Sequence, residues 1–148
     1  MEFSKDEYIR LVRKKNHLKN QKKNFAQENK NEYLLFIKYR SILYEELLWK
    51  QKDKIISLIE NFLNKKIDSE NFRNEVFRIR EEVRAKRTKL ESDFLNGMGG
   101  YQNVEINLNK ANFSNFFNEI FIIADCYEDE ELEKLYTEID KELFLFKE

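Results

Sequence analysis

Proline is absent from this 148-residue chain and glycine occurs only three times. Ordinary proteins carry about 5% and 7% of these residues, so helix breakers are nearly missing. A β-sandwich or barrel needs turn residues about every 8–12 positions, and the sequence does not supply them. The single cysteine, Cys126, forbids an internal disulfide and a thiolate metal site, and is expected of a protein in a reducing compartment. The single histidine, His17, removes Ser-His-Asp triads, HExxH zinc sites and the Glu-x-x-His pairs of di-iron bundles. No apolar run is long enough for a membrane span. The start, MEFSKDEYIR, has neither an apolar signal core nor the Arg-rich, acid-poor pattern of a transit peptide. The expectation is a protein of the cytoplasm or the plastid stroma.

What is present points to helices. Hydrophobic residues make up 41%, aromatics 14% and charged residues 37% of the chain, with a mean hydropathy of −0.76, so apolar and ionic side chains must be segregated onto faces. A chain of this length buries roughly 70% of the surface it exposes when unfolded and needs no staple. Sixteen Asn beside many Lys, Ile and Phe are the signature of A+T-rich coding.

Residues 1–30 carry a thin apolar stripe, Tyr8, Leu11/Val12, Leu18 and Phe25, in a field of Lys and Asn. This reads as a solvated basic helix or extension. From Tyr33 the apolar face widens through Leu34, Leu35, Ile37, Ile42, Leu43, Leu47, Leu48 and Trp49, and continues at Ile55, Leu58/Ile59 and Phe62. Lys65 and Lys66 are the cations favoured at a helix C-terminus, so this helix is expected to stop near Asn64. Asp68 is the N-cap of the next helix, with Glu70 in its first turn and Ile67 and Phe72 placed as a hydrophobic staple. Phe72, Val76, Ile79, Val83, Leu90 and Phe94 keep the helical interval, interrupted where Lys86 or Arg87 takes an apolar position. Gly97–Gly100 holds every glycine and marks a loop. Residues 101–110 alternate as a strand would, but a lone strand cannot satisfy its backbone groups, so they are expected to be a short extended linker. Two further amphipathic helices follow, through Phe113–Tyr127 and Leu132–Phe146. The predicted fold is an all-α bundle of five or six antiparallel helices with one Gly-rich loop. Residues 1–30 form its basic N-terminal segment and residues 31–148 a single helical domain.

Catalytic constellations are not found. His17 reads as a solvated residue. Cys126 beside Asp125 and further acids lies in a field that disfavours a thiolate, and reads as a small buried hydrophobe. Gly97-x-Gly-Gly lacks the Gly-Lys-Ser/Thr of a P-loop. Adjacent acids such as Glu45-Glu46 and Glu81-Glu82 read as solvated faces. The expectation is a non-enzymatic protein with no cofactor and no metal.

Charge is the remaining functional signal. Residues 1–30 hold nine Lys/Arg against four Asp/Glu, and residues 125–148 hold three against ten, so the chain is basic at one end and acidic at the other. Internal neutralisation between the ends is one reading. As binding surfaces, Arg13, Lys14, Lys15, Lys19, Lys22 and Lys23 suit RNA or an acidic protein. The basic run Arg78 to Lys89 is interleaved with Glu81, Glu82 and Glu91, and reads as a salt-bridged helix face.

The segments LIENFLNKKIDSENF at 58–72, FIIADCY at 121–127 and IDKEL at 139–143 together resemble the colicin-D-type immunity proteins. These are small helical bundles with an I-x-x-F segment, an F-x-x-A-D-x-Y segment and an acidic start to a closing helix. The resemblance covers about residues 50–146 and leaves the first 50 outside. It implies a non-enzymatic inhibitor that lays an acidic surface over the cationic active site of a tRNA-cutting toxin. It places that surface at Asp125, Glu128, Asp129, Glu130, Glu131 and Glu133, and the partner is another protein with a basic surface. Plastid reading frames of algae contain similar helical domains, which implies, as a variant, reuse as an accessory subunit of an organellar complex.

Overall fold

A computed structural model of the chain describes residues 3–96, 112–127 and 131–147. Among these residues the protein is all-helical and has no strand: α1 (Lys5–Asn20), α2 (Phe25–Glu28), α3 (Lys30–Trp49), α4 (Lys52–Leu63), α5 (Ser69–Leu95), α6 (Phe113–Cys126) and α7 (Leu132–Lys147). The Gly97–Gly100 loop and the alternating segment 101–110 lie outside the described residues, as do Glu128, Asp129 and Glu130.

The helices begin where short polar side chains can take up the orphan N–H groups of a first turn. Ser4 Oγ accepts from the Glu7 amide at 3.3 Å, Asn24 Oδ1 from Gln27 at 3.1 Å, Asn29 Oδ1 from Glu32 at 3.0 Å and Asp68 Oδ1 from Asn71 at 2.8 Å. Asn112 Oδ1 does the same for Asn115 at 3.4 Å. Three of these five caps are asparagines, Asn24, Asn29 and Asn112.

Two helices end without the glycine that a left-handed C′ position favours. After α1 the backbone turns at Lys22 and after α4 at Lys65, both with φ of 60°. The amides of Lys23 and Lys22 donate to the carbonyls of Leu18 and Lys19 at 2.8 and 2.9 Å, and those of Lys66 and Lys65 to Asn61 and Phe62 at 2.8 and 3.0 Å. Both pairs are Schellman motifs. Each left-handed lysine costs about 1 kcal/mol, offset in part by a cation beside the negative end of the helix dipole.

The expected helix through 33–64 is in fact two. The chain leaves α3 at Trp49, and the Gln51 amide donates to the Leu48 carbonyl at 2.9 Å. No Gly or Pro forces this break. Trp49 is engaged on both sides instead: its indole stands edge-on to Phe113 at 5.7 Å and 90°, and the Lys52 ammonium lies over it at 4.6 Å. That break and the single-turn α2 account for seven helices among the described residues where five or six were expected.

The helices gather into two compact units, one of Met1–Glu46 with Arg84–Asn109 and one of Leu47–Val83 with Lys110–Glu148. In the first unit the apolar stripe of the N-terminal segment is packed into the core while the Lys and Asn around it stay largely exposed. Tyr8, Leu11, Val12, Leu18 and Phe25 are all buried, which corrects the expectation for residues 1–30. The stripe is thin in number but large in area. Tyr8 stacks on Tyr39 with centroids 5.9 Å apart and meets Phe94 edge-on at 5.5 Å, and aromatic side chains of this size dominate the energetics of a small core. On α3 the wide face narrows, with Phe36, Tyr39 and Leu43 buried while Leu34 and Ile37 stay exposed.

In the second unit α7 packs on α4 and α6. Its centre is Phe62, fully buried between Phe72 at 4.2 Å and 10° and Tyr136 at 4.6 Å and 17°. Phe116 and Phe146 stack at 4.4 Å beside Phe113.

Candidate functional site

Most of the basic N-terminal side chains are engaged within their own unit. Arg13 donates through Nε and Nη2 to the Phe94 carbonyl at 3.4 and 3.3 Å, which satisfies an orphan carbonyl in the last turn of α5. Lys14 pairs with Glu32 at 2.9 Å, and Arg10 reaches the same carboxylate at 3.1 Å and Glu7 at 2.5 Å. The hydrogen bond from Lys14 holds the Glu32 carboxyl below the usual carboxylate range. Lys15 lies over the Phe36 ring at 5.3 Å. Lys19, Lys22 and Lys23 are exposed, and Lys22 is also a left-handed helix-ending residue. His17 is exposed, with a ring nitrogen 3.1 Å from Gln21 Nε2.

At the acidic end, Asp125 is exposed in the last turn of α6, Glu133 is exposed in the first turn of α7, and Glu131 is half-buried just before it. Glu128, Asp129 and Glu130 lie outside the described residues. The end of α6 is clamped from α5. Arg73 Nε donates to the Ala124 carbonyl at 2.8 Å and Nη2 to the Tyr127 carbonyl. A guanidinium there satisfies the unpaired carbonyls and the negative helix end together. Cys126 is exposed, against the expectation of a buried hydrophobe. The buried face of α6 ends at Ile123 and Ala124, and two further residues rotate Cys126 by about 200° away from Ala124.

The first unit also holds a polar cluster that the sequence does not announce. Glu91 is 9% exposed, and its Oε1 accepts from the Tyr8 hydroxyl at 3.0 Å and from Arg40 Nε at 2.7 Å. Arg87, one turn earlier on α5, places its guanidinium over the Tyr44 ring at 5.4 Å, and its buried Nε has no hydrogen-bond partner. Arg40 stands over Phe36 at 5.6 Å, on the same ring as Lys15. Burial, with the Arg40 charge nearby, lowers the Lys15 ammonium and the Arg87 guanidinium below their ordinary values. Burial first, and then the Glu91 charge and hydrogen bond, raise the Tyr8 phenol far above its usual range.

That shift gives a pH prediction. The folded chain holds the Tyr8 proton more tightly than the unfolded chain, so the stabilisation is complete below pH ~10 and is lost as pH rises above it, at about 1.4 kcal/mol per unit. Tyr8→Phe should cost about 1.5–3 kcal/mol at pH 7, the value of a hydrogen bond to a charged group. The variant and the parent should converge by about pH 12. Urea unfolding at pH 7, 10 and 11.5 checks this, and a constant gap would refute it.

Sequence reasoning missed Arg40 and Arg73 as organising residues and placed Glu91 on a salt-bridged helix face, whereas it is buried against Tyr8 and Arg40. Arg87 left a trace, as the cation that interrupts the apolar interval of α5. Register cannot tell a buried ionic residue from an interruption. Among the described residues no group of three or more His, Cys, Asp or Glu could hold a metal ion, and no helix is long and apolar enough to cross a membrane. Among the described residues the molecule is all-helical, with aromatic side chains at the centre of each unit and a buried Arg40–Glu91 pair in the first. No protein-family profile, curated protein or solved structure matches the chain.

Proposed function

We propose that this chain is a non-enzymatic binding module that presents the acidic corner between α6 and α7 to another protein with a basic surface. The observation that carries the reading is the Arg73 clamp: it ties the backbone at Ala124 and Tyr127 while Asp125 between them points to solvent. Acids held on a pinned backbone lose little conformational freedom on binding, and opposed potentials then speed encounter. A tRNA-cutting nuclease, the partner class that the immunity-protein resemblance implies, has the required cationic surface. The diversion of Arg13 and Lys14 into polar contacts within the protein favours this reading over RNA binding, which is left with Lys15, Lys19, Lys22 and Lys23.

The test starts from cross-linking mass spectrometry in the native cell, followed by association kinetics with the purified partner. The triple reversal Asp125→Lys, Glu131→Lys, Glu133→Lys should slow association about tenfold or more at low salt and leave helicity unchanged. An unchanged association rate refutes the acidic corner. Binding to a tRNA pool with a log–log salt slope steeper than about −2, as three phosphate contacts on a single strand would give, would replace it with the RNA reading.

A further inference from the structure

We propose that Lys15, Arg40 and Arg87 form a binding site for a phosphoryl dianion, either free phosphate or a phosphate monoester. The three cations come from α1, α3 and α5 of one unit: Arg40 pairs with the one carboxylate, Glu91, Arg87 lies one turn before it on α5, and Lys15 shares the Phe36 ring with Arg40. Among the described residues they leave two positive charges without an ion-pair partner. Glu91 Oε1 is already taken by Tyr8 and Arg40. Arg87 is left with a buried Nε–H and no acceptor, and Lys15 has an aromatic ring beneath it but no ion pair among the described residues.

A buried unmet donor on a charged group is costly, and a fold tolerates it most readily where a ligand supplies the acceptor. The lowered proton affinity of Lys15 and Arg87 has the same cause, positive charge held partly out of water without its counter-charge. The site is reachable: Lys15 is exposed, and the Arg40 side chain is 25% exposed. A carboxylate would neutralise one of the two excess charges. A phosphoryl dianion neutralises both, and its oxygens match the fork of a guanidinium. The Phe36 ring lies against both Lys15 and Arg40, and the Tyr44 ring against Arg87, so the three cations have aromatic neighbours rather than acids to hold them in place.

The experiment is thermal unfolding of the full chain in inorganic phosphate, and separately in glycerol 3-phosphate, against sodium chloride at matched ionic strength. At a ligand concentration ten times Kd, the midpoint should rise by about 3–5 °C and saturate. The stronger of the two ligands identifies the source of the phosphoryl group. Lys15→Gln, at an exposed position that the fold does not need, should weaken binding about fivefold or more, and Arg87→Gln should abolish it. The proposal is overturned if neither ligand gives a saturable rise, or if Lys15→Gln leaves the rise unchanged.

Discussion

Replacing Glu91 by leucine is expected to lower the unfolding free energy by about 3–5 kcal/mol, the usual cost of removing one partner of a buried ion pair. The carboxylate is 9% exposed and receives both the Tyr8 hydroxyl and Arg40. Without it, a buried phenol loses its acceptor, and Arg40, Arg87 and Lys15 face one another unrelieved. The double variant Arg40→Met, Glu91→Leu should recover a substantial part of that loss, because an apolar pair of similar volume often replaces a buried ion pair at little cost. Urea unfolding followed by far-ultraviolet circular dichroism measures both. A loss below about 1 kcal/mol for Glu91→Leu would show that the carboxylate does not organise the first unit.

Phe62→Ala should cost a similar 3–5 kcal/mol through a different mechanism. Phe62 is fully buried, with Phe72 on one face and Tyr136 on the other, so truncation removes two ring stacks and leaves a cavity bounded by α4, α5 and α7. Phe62→Leu keeps much of the volume and should lose markedly less. Hydrogen exchange should report faster opening of the amides of α4 and α7 in Phe62→Ala. Unchanged protection there would place the centre of the second unit elsewhere. Domains are stable by about 5–15 kcal/mol, so either single variant removes a large share of the total.

Much of the helical architecture could be read directly from the residues. Asp68 caps α5 as its position suggests, α4 stops at Leu63 beside Lys65 and Lys66, and the aromatic faces of α6 and α7 lie close to where their spacing puts them. The candidate site was less legible. Asp125 and Glu133 could be placed on helix ends from sequence, but their anchoring by Arg73 comes from a residue 51 positions from Ala124. Likewise Glu91, one of several acids along a basic helix, is 83 positions from Tyr8 and 51 from Arg40. Pattern reading compares neighbours along one helix, and those partners are on others.

Sequence alone therefore determined that the chain is helical, because it lacks breakers and repeats its apolar residues at helical spacing, and it determined several helix ends, because capping is local chemistry over three or four residues. Tertiary structure decided the burial of the thin Tyr8–Leu11 stripe, the break after Trp49 and which of many charges became a buried ion pair. Each of those outcomes depends on desolvation by residues far along the chain, and the energy of a charge or an aromatic ring changes by several kcal/mol with what covers it.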